Sequence, residues 1–159
     1  MTIRVGQGLD VHGFAEGRAL VLAGVTIPAE RGLAGHSDAD VVAHAVTDAL
    51  LGAAALGDIG MRFGVDDPAV VDADSMQLLA AVVEDLAAAG WRPGNVDVTI
   101  VAEQPRLAPH RAPMRANLAA ALDLDEGAVS VKATTTDRLG SIGRGDGIAC
   151  WAVCTVRPT

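Results

Sequence analysis

Residues 38–55 read DADVVAHAVTDALLGAAA, and this run settles what kind of fold the chain can adopt. Val41, Val42, Ala45, Val46, Ala49 and Leu50 fall on one arc at the helical period, so the spacing predicts a helix over these residues. Asp40, His44 and Asp48 recur every four residues and form a ridge on the opposite arc. A solvated helix face usually carries Lys, Glu, Arg and Gln. The polar residues here are only Asp, His and Thr, which are short side chains suited to metal and phosphate chemistry.

The rest of the chain supplies the sheet. Residues 2–10 read as a strand, and 19–28, ALVLAGVTIP, have the texture of a hairpin turning at Gly24. A second helix follows Asp74 or Ser75 and stops at Gly90. Residues 96–103 form a buried-strand pattern, 109–124 a third helix, and AVSVKATTT and GIACWAVCTV the last two strands. The reading is an α/β (α+β) fold: a single domain over 1–159, with a mixed four- to five-stranded sheet carrying helices on one face. The other face then needs cover, which further copies of the chain are expected to provide.

Half of the residues are apolar, enough for a real core, yet there is no Tyr and only two Trp and two Phe. Ala, Val, Leu and Ile must therefore fill it. The formal net charge of −8 argues against a nucleic-acid or anionic-membrane surface. A phosphorylated ligand would have to be held by metal ions, backbone N–H groups and a few placed basic residues. Cys150 and Cys154, on one strand, lie about 13 Å apart at strand rise, too far to bridge, and read as buried apolar residues. No signal-peptide pattern and no apolar run of membrane-spanning length is present, so a cytoplasmic location is expected.

Chemistry concentrates in three clusters. In GLDVHG, residues 8–13, Asp10 and His12 share one face of an extended segment while Val11 points to the other, where it is expected to pack. The pair suits a metal or a proton, and equally a polar edge where a strand ends. His36 and Ser37 precede the central helix, where free N–H groups and the dipole favour an anion. One His from that helix with Asp10 and His12 makes three N/O ligands with a fourth position open, the pattern of a catalytic zinc. In the third cluster, 131–147, Thr134, Thr135 and Thr136 leave a strand for a glycine-rich bend that can cradle phosphate oxygens or simply be a loop.

Together, DVH, HSDADVVAHAVTDALLGAAALGDIG, GNVDVTI, VKATTTD and GRGDGIA, in this order, resemble the 2-C-methyl-D-erythritol 2,4-cyclodiphosphate synthase family of the non-mevalonate isoprenoid route. The resemblance implies a homotrimer with active sites at subunit interfaces. It implies zinc, one ion per subunit, on Asp10, His12 and His44, and Mg²⁺ or Mn²⁺ at Asp137 with the substrate diphosphate. His36 and Thr135 match the positions that stabilise the transition state, and Ser37 one that holds phosphate. Asp58, Ile59 and Gly60 would meet the methylerythritol part, and residues 102–108, including Ala102, Pro105, Arg106, Leu107 and Ala108, would form the cytidine pocket with Ala133 and Thr134. The implied reaction closes a cyclic diphosphate and releases CMP.

The chain departs from the family pattern at several points. FGVDDP, residues 63–68, replaces FPDTDP, so Val65 stands where an Asp is common, and Asp66 is expected to serve instead, beside Phe63 and Asp67. Asp137 and Asp146 replace Glu; Ser141 stands where Phe or Leu is common, beside the phosphate-binding loop, and Asp146 with Arg144 is expected near the trimer axis. Two other activities suit the same ligands: a zinc phosphohydrolase with Asp58 as base, and a non-catalytic trimeric carrier of isoprenoid diphosphates.

Overall fold

The structure, a computed structural model, describes residues 2–64 and 73–159. Strand β1 (Arg4–Ala15) is followed by β2 (Leu20–Leu22), β3 (Val25–Ile27) and β4 (Gly32–Leu33). Helices α1 (Val41–Ala54), α2 (Ile59–Phe63) and α3 (Ser75–Ala88) come next, then β5 (Trp91–Val101). The chain ends with α4 (Arg111–Ala121), β6 (Val129–Thr134), α5 (Gly140–Gly143) and β7 (Gly147–Pro158). The main sheet has the order β4-β1-β7-β5-β6, and only the β5–β6 pair is parallel. The mixed sheet is thus as expected, and the 19–28 hairpin forms its own two-stranded β2–β3 sheet. Among the described residues, no helix is long and apolar enough to cross a membrane.

Several boundaries move. The first strand does not end near Asp10 but runs on to Ala15, because β7 keeps pairing with it as far as Gly13 opposite Gly147. Asp10 and His12 are therefore mid-strand residues. The strand expected over 96–103 begins at Trp91, and the helix expected over 109–124 is a 3₁₀ turn at Ala108–His110 followed by α4. Gly90 ends α3 with φ 81°, a conformation that favours glycine.

Helix α1 forms where the periodicity placed it, and protein encloses it on nearly every side. It has no solvated ridge: eleven of its residues are buried, and Asp40 is its fully buried N-cap. The Asp40 carboxylate accepts N–H bonds from Val42 and Ala43 at 3.1 Å, and from Ala23 and Gly24 in the β2–β3 turn at 2.9 and 2.7 Å. Burial pushes this carboxyl up to about 6, and the backbone donors limit the rise. The N–H groups expected to receive an anion are taken up by this cap.

The buried side of β1 explains why α1 can be buried so deeply. Gly6 and Gly8 face the helix, and a Cβ on Gly8 would overlap the Ala45 carbonyl oxygen, just as one on Gly6 would overlap that of Ala49. The stripe Ala45, Ala49, Ala53 lies against this glycine track, so the two backbones almost touch. The other face of β1 and β7 is open. Val11, expected to be packed, is 54% exposed, and Ile3, Val5, Leu9, Trp151 and Val153 are exposed with it. Leu9 stands directly opposite Trp151, and Val153 lies opposite Gln7, a polar residue within this mostly apolar patch.

Gly8→Ala should separate α1 from β1. The expected loss lies at the upper end of the about 1–3 kcal/mol typical of overpacking, read as a lower urea midpoint. An unchanged midpoint would mean that the contact can relax at no cost.

Candidate metal centre and nucleoside cavity

The close approach of α1 to β1 brings His44 over Asp10 and His12. Each of the three offers one ligand atom, and these atoms lie within 4.8 Å of one another. Asp10 Oδ2 is 2.9 Å from His12 Nε2 and 2.9 Å from His44 Nδ1, and the two ring nitrogens are 3.3 Å apart. The second oxygen of Asp10 accepts the Val11 N–H at 2.9 Å. Burial raises the Asp10 carboxyl, but hydrogen bonds and charge from His12 and His44 outweigh it and hold it well below the usual carboxylate range. The same bond raises His12, against the effect of its own burial.

The hydrogen bonds of the distal nitrogens leave the other nitrogens free for a metal. His12 Nδ1–H donates to the Ala34 carbonyl, and His44 Nε2 meets the Ser75 hydroxyl at 2.9 Å. Both rings thus spend one nitrogen on the protein and turn the other towards Asp10, as metal-ligating imidazoles do. Two imidazoles and one carboxylate so gathered make a set able to hold a metal ion.

A second locus lies at the other edge of the sheet. Ala102, Pro105, Arg106, Leu107 and Ala108 line a cavity of about 550 Å³ together with Ala133, Thr134 and Thr135. Asp10 pairs with Cys150, Cys150 with Ile100, and Ile100 with Ala133. At a strand spacing of about 4.8 Å, this register row separates Asp10 from Ala133 by about 14 Å. Within one chain the triad and the cavity sit at the same end of the sheet but do not merge.

The other expected site residues are placed as follows. His36 is exposed in the bend between β4 and α1, whereas Ser37 is buried with its hydroxyl 3.2 Å from His44 Nε2. Asp58 caps α2, accepting the Met61 N–H at 2.8 Å, with Ile59 and Gly60 following it and Phe63 closing the helix. Thr135 Oγ1 and the exposed Asp137 share contacts of 3.2 and 3.4 Å. Arg144 pairs with Asp146 at 3.1 Å on the surface, close to Ser141 at the start of α5. Val65, Asp66 and Asp67 lie outside the described residues.

The YgbB family model matches residues 3–157. The chain belongs to the YgbB family. A Salinibacter ruber protein named 2-C-methyl-D-erythritol 2,4-cyclodiphosphate synthase is 56% identical over 155 residues, 98% of this chain and 99% of that protein. The bifunctional IspDF of Campylobacter jejuni superposes with a TM-score of 0.96 at 44% identity; the match covers 99% of this chain and 43% of that longer one. IspF of Plasmodium falciparum, solved as a CDP complex, superposes with a TM-score of 0.85 at 32% identity, covering 99% and 97% of the two chains.

Two carboxylates of this YgbB chain organise the site: Asp48, which the helical ridge singles out, and Glu103, which no pattern does. Asp48, one helical turn beyond His44, accepts the Ile59 N–H at 2.8 Å and so ties residues 58–60 to α1. Burial raises its carboxyl, and Asp58 and Asp10 add to the rise. Glu103 Oε1 accepts the N–H groups of Thr136 and Arg138 at 2.9 and 3.2 Å and the Thr136 hydroxyl at 3.2 Å. The backbone N–H groups of Arg138 and Thr136 hold its carboxyl below the ordinary value. The turn it holds contains Asp137 and Arg138, both non-glycine residues at positive φ, 52° and 64°. A glutamate just after a buried strand carries no pattern of its own; its partners lie 33 and 35 residues away.

Glu103→Ala should release this turn. Amide exchange at Thr136 and Arg138 is expected to accelerate, while Glu103→Gln, which keeps an acceptor oxygen, retains much of the protection. Equal exchange in all three proteins would show that the turn holds itself.

Proposed function

We propose that this chain is a lyase that converts 4-diphosphocytidyl-2-C-methyl-D-erythritol 2-phosphate to 2-C-methyl-D-erythritol 2,4-cyclodiphosphate with release of CMP. The reading takes residues 1–159 as one synthase domain. An oxygen of the 2-phosphate forms a bond to the β-phosphorus. The bond from that phosphorus to the oxygen bridging it to CMP breaks, and the electron pair leaves with CMP. The observation that carries the proposal is the convergence of Asp10, His12 and His44 in a YgbB chain whose relatives bear the synthase name.

A phosphate monoester has its second pKa near about 6, so the nucleophile is already anionic at neutral pH and a strong base is unnecessary. The difficulty lies in bringing anions together on a chain of net charge −8. Zn²⁺ on Asp10, His12 and His44, with Mg²⁺ or Mn²⁺ at Asp137, would neutralise phosphate charge and polarise the phosphoryl group. His36 and Thr135 then donate hydrogen bonds to the oxygens that gain charge. Ser37 acts beside them, and Asp58, Ile59 and Gly60 hold the methylerythritol. The cavity of residues 102–108 with Ala133 and Thr134 takes the cytidine, a role supported by the CDP complex of the Plasmodium falciparum relative.

The separation of triad and cavity supports a site completed between chains. We read the open apolar face of β1 and β7 as the contact that assembles a homotrimer, since a patch of this kind is rarely left in water. The proposed site is thus shared by neighbouring subunits.

Incubation with the cytidylyl substrate, followed by phosphorus NMR, should show CMP and a cyclic diphosphate. Activity should vanish on chelation and return with zinc. His36→Ala should lower kcat by about 10²–10³. Linear hydrolysis products, or no turnover by the metal-loaded protein, would overturn the reading.

Sedimentation should give a species of three chains at micromolar concentration, and Leu9→Asp should break it down. A stable monomer of the unaltered chain would contradict the assembly.

A further inference from the structure

His44 reaches the triad through Nδ1, so whatever meets Nε2 decides which nitrogen carries the proton. Nε2 lies 2.9 Å from Ser75 Oγ and 3.2 Å from Ser37 Oγ. Ser75 is the first residue of α3 and is 1% exposed. Its hydroxyl is 2.5 Å from Asp38 Oδ1 and, more distantly, 3.2 Å from Ser37 Oγ. A carboxylate only accepts, and a serine has a single O–H to give. With that proton directed at Asp38, Ser75 can only accept from His44. Nε2 then carries hydrogen, and the Nδ1 lone pair faces Asp10 and His12.

Asp38 is itself held in place. Its Oδ2 accepts the Ser75 N–H at 3.2 Å, its Oδ1 accepts the Asp40 N–H at 3.1 Å, and its own N–H donates to the Ala73 carbonyl at 3.1 Å. Ser37 lacks such backing. Its oxygen accepts the Ala39 N–H at 3.2 Å, which leaves its proton free to approach Nε2 and favour the opposite tautomer.

We propose that Ser75, oriented by Asp38, is the positioning residue that sets the tautomer and ring orientation of His44 for metal binding. This rests on the reading of Asp10, His12 and His44 as a metal site. It joins the metal centre to the first turn of α3, an element that contributes no ligand.

The test compares metal-free wild type, Ser75→Ala, Ser75→Thr and Asp38→Asn, each checked for folding by circular dichroism. Zinc affinity is measured by chelator competition, and the ligand field by the visible spectrum of the Co²⁺-loaded protein. Ser75→Ala should weaken zinc binding about 10- to 100-fold and alter the cobalt spectrum. Ser75→Thr should restore most of the affinity, and Asp38→Asn, which keeps an acceptor, should lose less than Ser75→Ala. Wild-type affinity and spectrum in Ser75→Ala would overturn this inference and leave the metal site standing. Failure of the wild type to take up zinc or cobalt would overturn both. Should Ser75→Ala not fold, unchanged affinity in Asp38→Asn overturns the inference and weaker affinity upholds it.

Discussion

The contact between the α1 backbone and the glycine track of β1 is the constraint on which the rest depends. Gly6 and Gly8 leave no side chain between strand and helix, and Ala45, Ala49 and Ala53 leave almost none on the helix side. A few ångströms of additional separation would keep the sheet and the helix but part His44 from Asp10. The metal centre is thus set by missing side chains as much as by its ligands. Close packing of this kind is unforgiving, because backbone cannot move aside as a flexible side chain can.

Around that contact, acidic side chains serve as braces. Asp40 closes the start of α1 and anchors the β2–β3 turn; Asp48 ties residues 58–60 to the same helix; Glu103 holds the 136–138 turn. Each carboxylate takes backbone N–H groups that would otherwise lack partners, and Asp48 and Glu103 each fix a segment that carries expected site residues. The acidity of the chain is in part an internal hydrogen-bonding resource. Several further carboxylates, among them Asp38, Asp58 and Asp74, are engaged by backbone donors in the same way.

How much could be read in advance varied with range. The helical period of 38–55 and the alternation in the strands were legible because they are local repeats of apolar side chains. The same-face relation of Asp10 and His12 follows from strand geometry and holds in the structure. The polar ridge on α1 faces protein rather than water, since helices and strands surround α1 on nearly every side: His44 points into the triad, as its residue type implied, whereas Asp40 is a buried cap. Periodicity shows that two classes of side chain alternate, but not whether the polar class meets water or a second polar cluster. Val11 illustrates the converse, an apolar residue that its own chain leaves 54% exposed.

The sequence by itself determined most of the strands and helices, the mixed-sheet class, the family resemblance and the same-face pair Asp10 and His12. All of these depend on residue type and short spacing. Tertiary structure alone decided that the Asp10 and Ala133 loci lie three strands apart, that Ser75 and Asp38 stand behind His44, and that Glu103 governs a turn more than thirty residues away. Those relations depend on strand order and on the depth at which a helix seats against a sheet. Both are set by the packing of the whole core, and no local stretch of chain encodes them.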